Sequence, residues 1–196
     1  MASNKKTPRV LRAILITAAV LLLAAGALFA VKYISGRVHG VVYPLRFTEE
    51  LTAAAARYGL DPKLVAAVVY TESGFRESAV SADGAEGLMQ ILPSTAEWIA
   101  FRKGEPSEGI DLFDPATNLD YGCWLLKFLL DRYDGNTRFA LIAYNAGHGR
   151  LDSWLKDDPT GELNDIPYGE TRAYVDKVLR SMDKYGEIYE NELGQN

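Results

Sequence analysis

Cysteine and histidine are nearly absent from this chain of 196 residues, which contains one cysteine and two histidines. The lone Cys123 excludes an intrachain disulfide, so packing must supply the stability of the fold. The histidines, His39 and His148, form no ligand pair with each other or with the cysteine at the spacing that metal sites use. A glycine-rich phosphate loop of the usual spacing is also missing. We therefore expect no disulfide, no bound metal and no cofactor.

Acidic residues are absent from positions 1–38, where six of the 21 lysines and arginines lie. Beyond position 38 the chain contains the remaining 15 basic residues and all 26 acidic ones, which gives this part a net charge of −11. This balance argues against nucleic acid as a partner and against a polybasic face that binds membranes.

The longest run without a charged residue extends from Ala13 to Val31. As a helix it would span roughly 28 Å, enough to cross the hydrocarbon core of a bilayer. Because basic residues precede it, the positive-inside rule predicts a cytoplasmic segment at 1–12, a single-pass anchor at 13–34 in the cytoplasmic membrane and an extracytoplasmic remainder. A signal peptide cleaved near Ala25-Gly26-Ala27 is the alternative, but the apolar run continues past that site.

Helical patterns fill the chain after the anchor, and strand patterns are scarce. Asp-Pro pairs at Asp61 and Asp114 supply an N-cap and a proline at the first helical position. Cys123 lies in an apolar helical stripe, which indicates a small buried side chain. The sequence predicts an all-α domain at 43–186, after a linker at 35–42 and before a frayed tail at 187–196. The expected helices are Phe47–Tyr58 with Thr48 as cap, Pro62–Glu72, Pro93–Trp98, Pro115–Tyr133, Arg138–Asn145 and Glu170–Tyr185.

Glu72 ends an apolar helical run that begins at Leu64. Burial beside apolar side chains disfavours the ionised form of a carboxyl, so its pKa rises and it can donate a proton near neutral pH. Protonation of a glycosidic oxygen requires such a group. A solvated glutamate at a helix end is the ordinary alternative.

Three blocks that follow Glu72 favour the catalytic interpretation. They are Ser81 with Gly84–Pro93 (GAEGLMQILP), Ala143–Gly147 (AYNAG) and Ile166–Val175 (IPYGETRAYV). In this order, with compatible gaps, they resemble the catalytic domain of soluble-type (family 1) lytic transglycosylases, relatives of goose-type lysozyme. The resemblance covers about residues 43–186 and implies a lysozyme-like helical domain that acts on peptidoglycan glycan strands without a cofactor.

The resemblance implies one glutamate, Glu72, as both acid and base of a glycan-cleaving lyase. In this family the glutamate protonates the leaving oxygen of the β-1,4 bond between N-acetylmuramic acid and N-acetylglucosamine. As a carboxylate it then deprotonates the C6 hydroxyl of the muramoyl residue, which attacks C1 and leaves a 1,6-anhydro end. The N-acetyl group of the substrate stabilises the positive charge at C1.

The first of these blocks supplies four positions that the resemblance assigns to substrate binding. Ser81 is expected near the substrate N-acetyl group, although a serine that stabilises a turn would look the same. Gly87 would let the backbone pass close to a sugar. Met89 is expected as an apolar groove wall and Gln90 as an amide that binds sugar groups, with core packing as the default for the methionine alone.

The last two blocks supply three more positions. Tyr144 matches the tyrosine whose hydroxyl forms a hydrogen bond with the catalytic glutamate. Asn145, next to it, is expected to bind the ligand and to hold the helix end. Tyr174 matches a groove tyrosine, but its place in an apolar stripe also fits core packing.

Two other functions stay open at this point. A hydrolytic muramidase would need a second carboxylate to position water, and Glu77, Asp83 and Glu86 are the nearest in sequence, although solvated loop acids are the simpler interpretation. A non-catalytic wall-binding scaffold would be expected to lose some block residues, whereas all of them are present.

Overall fold

The computed structural model describes residues 9–194. Residues 1–8 of the predicted basic segment and 195–196 of the predicted tail lie outside the described residues. The described chain divides into two compact units, one that ends at Val42 and one that begins at Tyr43.

The first unit is a single helix, α1, at Arg9–Val42. Residues 35–42, predicted as a linker, continue this helix, and they contain no proline that would end it. Among the residues that the structure describes, no helix combines the length and the apolar character of a membrane span.

The second unit is built from helices and loops. Its only strand-like pairings in the described range are two isolated bridges, Val80 with Glu86 and Glu86 with Ile91, inside the loop between α3 and α4. The prediction of an all-α domain is therefore confirmed. The helices are α2 Thr48–Tyr58, α3 Pro62–Glu72, α4 Pro93–Lys103, α5 Pro115–Arg132, α6 Thr137–Ala146, α7 His148–Asp157, α8 Gly169–Ile188 and α9 Glu190–Leu193.

Side-chain caps start three of these helices. Asp61 accepts the Lys63 N–H at 2.9 Å, and Asp114 accepts the Thr117 N–H at 2.8 Å. At α6, Asn136 caps the first turn in the same way. Such caps satisfy backbone donors that the first turn leaves free, which is why the Asp-Pro pairs predicted these helix starts correctly.

Two predicted helix boundaries need correction. Thr48 is not the cap of α2, since Phe47 occupies the cap position without a side-chain hydrogen bond. Helix α4 continues past Trp98 to Lys103 and ends at Gly104, which adopts a positive φ of 73°. The glycine, rather than the bulky residues before it, supplies the left-handed conformation that ends the helix.

Helix α3 forms the centre of the core. Its residues from Leu64 to Val69 are buried on every side, as expected for a helix that is apolar all round. It packs against α8, while α5 packs against α2, α4 and α6. Cys123 on α5 is fully buried, as predicted, and burial raises the pKa of its thiol. The arrangement brings the last residue of α3, Glu72, out of the core.

The C-terminal end differs from the prediction. The tail predicted to fray from 187 is helical in α8 and α9 as far as Leu193, which is fully buried. The Tyr189 hydroxyl donates to the Tyr43 carbonyl at 2.7 Å, which ties this end to the start of the unit. Helix α7 was not predicted, because its sequence is mostly polar and only Leu151 is buried.

Candidate active site

Glu72 is half-buried at the end of α3. Burial raises the pKa of Glu72 from 4.5 to about 7, against the opposing effects of a hydrogen bond from Tyr174 and the charge of Lys177. Near neutral pH the carboxyl is therefore present in both protonated and ionised forms. A group with that property can donate a proton in one step and accept one in the next.

Tyr174, on α8, is the hydrogen-bond partner of Glu72. Its hydroxyl donates to Oε1 of Glu72 at 2.7 Å, and the side chain is 9% exposed. Burial and the charge of Glu72 raise the pKa of Tyr174 well above its ordinary value, so the phenol stays a donor. The assignment of this contact to Tyr144 is therefore wrong. The packing of α8 on α3 decides which tyrosine reaches the carboxyl.

Tyr144, near the end of α6, stabilises the neighbouring loop instead. Its hydroxyl donates to the Met89 carbonyl at 2.9 Å. Burial and the charge of Glu72 raise the pKa of Tyr144, which indicates that it lies close to the carboxyl. The two tyrosines thus surround Glu72 as neutral groups with different partners.

Lys177 lies one helical turn after Tyr174 and faces the same end of α3. Its Nζ donates to the Thr71 carbonyl at 3.2 Å and lies 5.3 Å from the centre of the Tyr70 ring. A cation at a helix C-terminus also interacts favourably with the helix dipole. The sequence analysis missed this residue, although its spacing of three from Tyr174 places both on one face of a helix.

Two buried polar side chains that the motifs did not single out hold the loop between α3 and α4. Ser73 donates to the Leu88 carbonyl at 2.8 Å. Asn118 accepts the Met89 N–H at 2.7 Å and donates to the Glu86 carbonyl at 2.9 Å. Both residues are 3% exposed or less, and buried polar groups of this kind are costly to leave unpaired. They fix the backbone that receives the Tyr144 hydroxyl.

Gly87 and Met89 have roles in packing rather than in a sugar contact. A Cβ on Gly87 would lie 2.1 Å from the Leu112 carbonyl oxygen and 2.2 Å from the Asn118 amide nitrogen. The space that the glycine leaves is therefore filled by protein, and the predicted sugar contact there is wrong. Met89 is fully buried against Gly122, so the predicted groove wall is also wrong for its side chain.

Ser81 and Gln90 use part of their hydrogen-bonding capacity within the loop. The Ser81 hydroxyl oxygen accepts the Ala85 N–H at 3.0 Å, which is the turn role left open above. The amide nitrogen of Gln90 donates to the carbonyls of Ala79 at 3.1 Å and Gly87 at 2.9 Å. Both amide hydrogens are therefore used, which leaves the Gln90 carbonyl oxygen and the Ser81 hydroxyl proton for a ligand.

A groove of about 520 Å³ lies between α4, α5 and the end of α6, and we call it the α4–α6 groove. Trp98, Leu125 and Leu129 contribute apolar side chains to its lining, and the chain from Tyr144 to His148 also lines it. Asn145 is exposed there, as a ligand-binding amide requires. Glu72 does not line this groove among the described residues, but Tyr144 borders the groove and also lies close enough to Glu72 for the carboxyl to raise its pKa.

The model of the transglycosylase SLT domain matches residues 50–166. The chain belongs to the SLT domain family. This confirms the resemblance on which the predicted site residues rest.

Curated relatives of this SLT domain include membrane-bound and soluble proteins. The "Membrane-bound lytic murein transglycosylase C" of Histophilus somni (strain 2336) is 39% identical over 153 residues, 72% of this chain and 41% of the relative. The "Soluble lytic murein transglycosylase" of Escherichia coli K12 is 32% identical over 144 residues, 70% of this chain and 22% of the relative. The chain therefore spans less than half the length of these relatives.

A solved structure shares the fold of the SLT domain. The X-ray structure of an inactive mutant of the lytic transglycosylase Slt from Pseudomonas aeruginosa matches with a TM-score of 0.70 and 33% identity, over 76% of this chain and 25% of that one. The lysozyme-like fold that the resemblance implied is thereby confirmed.

Other acidic side chains in this SLT domain have separate environments. Glu77 lies 3.8 Å from Arg46 in an exposed pair, and Asp83 is exposed in a turn. Glu86 is half-buried, and its backbone forms the bridges of the loop. Within residues 9–194, no cluster of histidine, cysteine and acidic residues has the composition to hold a metal ion.

Proposed function

We propose that this protein is a peptidoglycan lytic transglycosylase in which Glu72 is the catalytic acid and base. The observation that carries the proposal is the half-buried carboxyl of Glu72, whose pKa is raised to about 7 and which has a neutral hydroxyl donor at 2.7 Å. A group that must donate a proton and then accept one works best with a pKa near the operating pH.

The proposed reaction has two proton transfers and consumes no water. Glu72 donates its proton to the glycosidic oxygen as the bond from C1 to that oxygen breaks. The substrate N-acetyl group stabilises the positive charge at C1. The Glu72 carboxylate then takes the proton of the muramoyl C6 hydroxyl, whose oxygen bonds to C1. Glu72 is protonated again at the end, and the products are a 1,6-anhydromuramoyl end and a free N-acetylglucosamine hydroxyl.

The surroundings of Glu72 favour this reaction over hydrolysis. A hydrolase of the usual kind places a second carboxylate opposite the acid. The groups that shift the pKa of Glu72 are a tyrosine and a lysine, and no carboxyl of the described residues is among them. The lining of the α4–α6 groove contains no acidic side chain in the part of the chain described here.

We propose fewer substrate-binding residues than the sequence implied. Tyr144 and Asn145 line the groove directly. Ser81 and Gln90 offer the hydrogen-bonding groups that the loop leaves free. Tyr174 acts through Glu72 by orienting the carboxyl.

We also propose that residues 13–31 anchor the protein in the cytoplasmic membrane with the SLT domain outside. The support is the uncharged run itself and the exposed leucines of α1, of which Leu22 and Leu23 are 73% and 74% exposed. The name of the Histophilus somni relative includes the word membrane-bound. The anchored protein should stay in the membrane pellet after alkaline carbonate extraction, and release into the supernatant would refute the anchor.

The activity is tested by digestion of purified peptidoglycan with the full-length protein and with its Glu72→Gln variant. Glu86→Gln is the matched control, because it removes a half-buried carboxyl from the adjacent loop. Mass spectrometry should find anhydromuramoyl ends with wild type and Glu86→Gln but not with Glu72→Gln. Reducing muramic ends would show a hydrolase, and binding without release by wild type would show a scaffold.

A further inference from the structure

The lining of the α4–α6 groove combines apolar and polar side chains. Trp98, Leu125 and Leu129 present apolar surface, while Thr95, Tyr144 and Asn145 carry polar groups. Ligand sites combine apolar and aromatic walls with a few polar groups in this way. A pyranose ring has the matching shape, since its two faces present C–H groups and its rim carries hydroxyls.

Neighbouring aromatic rings hold Trp98 in a fixed orientation. Trp98 meets Trp124 edge to face at 5.5 Å between ring centres, and it meets Phe128 edge to face at 5.2 Å. The guanidinium of Arg102 lies 5.4 Å from the centre of the Trp98 ring. Such contacts add stability beyond the burial of area.

Core packing alone does not account for the position of Trp98. It is only half-buried although three side chains pack around it, and it borders the groove. Trp124 belongs to the same aromatic cluster and is also half-buried, yet it does not line the groove. A comparison of substitutions at Trp98 and Trp124 therefore distinguishes a role in the groove from a role in packing of the aromatic cluster.

We propose that Trp98 is a substrate-binding residue, on whose ring an N-acetylated sugar of the glycan strand packs at a distance from the cleaved bond. This inference rests on the proposed function and adds a specificity-determining residue to it. Continuity supports the choice of occupant, because Tyr144 belongs both to the groove and to the surroundings of Glu72. The absence of acidic side chains from the described lining suits a glycan rather than a cationic ligand.

A contact away from the reacting atoms stabilises the bound substrate and the transition state equally. Loss of such a contact raises KM and leaves kcat nearly unchanged. We expect Trp98→Ala to raise KM for soluble glycan strands about tenfold. Trp98→Phe keeps an aromatic face and should recover part of that loss.

The experiment compares Trp98→Ala, Trp98→Phe and Trp124→Ala in the full-length protein. Kinetics with soluble glycan strands give kcat and KM, and thermal unfolding reports the stability of each variant. Calorimetry in the Glu72→Gln background measures binding of a β-1,4-linked tetramer of N-acetylglucosamine. The inference predicts a raised KM and weaker tetramer binding for Trp98→Ala, with Trp124→Ala close to wild type in both even where it lowers the melting temperature.

Equal effects of Trp98→Ala and Trp124→Ala, in proportion to lost stability, would overturn the inference. A fall in kcat with KM unchanged would overturn it as well. Failure of the proposed function has a different signature, since wild type would then yield no anhydromuramoyl ends. An active wild type whose KM does not respond to Trp98→Ala would refute only the inference.

Discussion

Two partly buried carboxyls in this protein have opposite environments. Glu72 has one neutral hydroxyl donor, and burial raises its pKa to about 7. Asp120, on α5, accepts hydrogen bonds from Arg57 at 2.5 Å, Tyr58 at 2.9 Å and Lys103 at 2.5 Å. Burial alone would raise the pKa of Asp120, but these donors and their charges outweigh it, and the pKa lies below its ordinary value.

The difference shows that burial and the partners of a carboxyl together decide what the carboxyl does. Asp120 has two cations within reach and is held as an anion that links α2, α4 and α5. Among the residues that the structure describes, Lys177 is the cation that acts on Glu72, and it donates to a backbone carbonyl rather than to the carboxyl. The first arrangement stabilises the fold, and the second keeps a proton available for transfer.

The largest expected effect follows Glu72→Gln. The amide cannot donate or accept the transferred proton, so we expect the rate of anhydromuramoyl release to fall by at least about 10³-fold.

The same variant tests how the ionisation of Glu72 affects the stability of the fold. The folded pKa of Glu72, about 7, exceeds the ordinary 4.5, so ionisation destabilises the folded wild type as pH rises between these values. The melting temperature of Glu72→Gln, relative to that of wild type at the same pH, should therefore rise as pH increases from 5 to 8. A difference in melting temperature between the two proteins that stays constant over this pH range would contradict the raised pKa of Glu72.

Asp120→Asn should lower stability and leave the chemistry intact. It removes one of the two carboxylates that pair with Lys103, whose side chain is 13% exposed, and leaves Glu105 at 3.0 Å, and we expect a loss of about 2–3 kcal/mol in urea unfolding near neutral pH. Because the folded pKa of Asp120 is depressed, its contribution is present above the ordinary pKa of an aspartate and disappears as pH falls through the folded value. The control is Asp131→Asn, which breaks an exposed pair with Lys127 and should cost less than about 1 kcal/mol. Equal losses for the two variants would refute this account of Asp120.

Tyr174→Phe makes the environment of Glu72 more apolar. The lost hydrogen bond lowers the pKa of Glu72 in wild type, so its removal should raise that pKa and move the alkaline limb of kcat/KM to higher pH. We also expect a rate loss of about tenfold, because the carboxyl is no longer oriented. Tyr144→Phe, which removes the donor to the Met89 carbonyl, should leave the alkaline limb in place. A shift with Tyr144→Phe alone would restore the original assignment of the two tyrosines.

Lys177→Gln should produce the smallest change. The positive charge favours the carboxylate of Glu72, so its removal should move the alkaline limb upward by less than Tyr174→Phe does. Lys177→Arg keeps the charge and should keep the limb near its wild-type position. Lys184→Gln, on the same helix and paired with Glu187, is the control for a general effect of charge. A downward shift with Lys177→Gln would contradict the proposed electrostatics.

The features that the sequence predicted correctly depend on local pattern. The Asp61 and Asp114 caps depend on neighbouring residues, and the apolar run before Glu72 identified both a core helix and a half-buried carboxyl. These relations are decided within one or two helical turns, where sequence spacing is also spatial spacing.

The features that sequence could not predict depend on contacts between distant segments. Tyr174 and Glu72 are 102 residues apart, and only the packing of α8 on α3 selects Tyr174 over Tyr144. Met89 matched a groove position, yet the neighbouring Gly122 gives its side chain space in the core. Asn118 was missed because an asparagine in a helix has no local signal for bonds to a loop about 30 residues earlier.

The most direct test of the central claim is a titration of the Glu72 carboxyl carbon by ¹³C NMR in the full-length protein. The Glu72→Gln spectrum identifies the signal. We predict a midpoint near 7, moving upward in Tyr174→Phe. A midpoint near 4.5, the ordinary value for a glutamate, would contradict the claim that burial with a single neutral donor makes Glu72 the acid of this site.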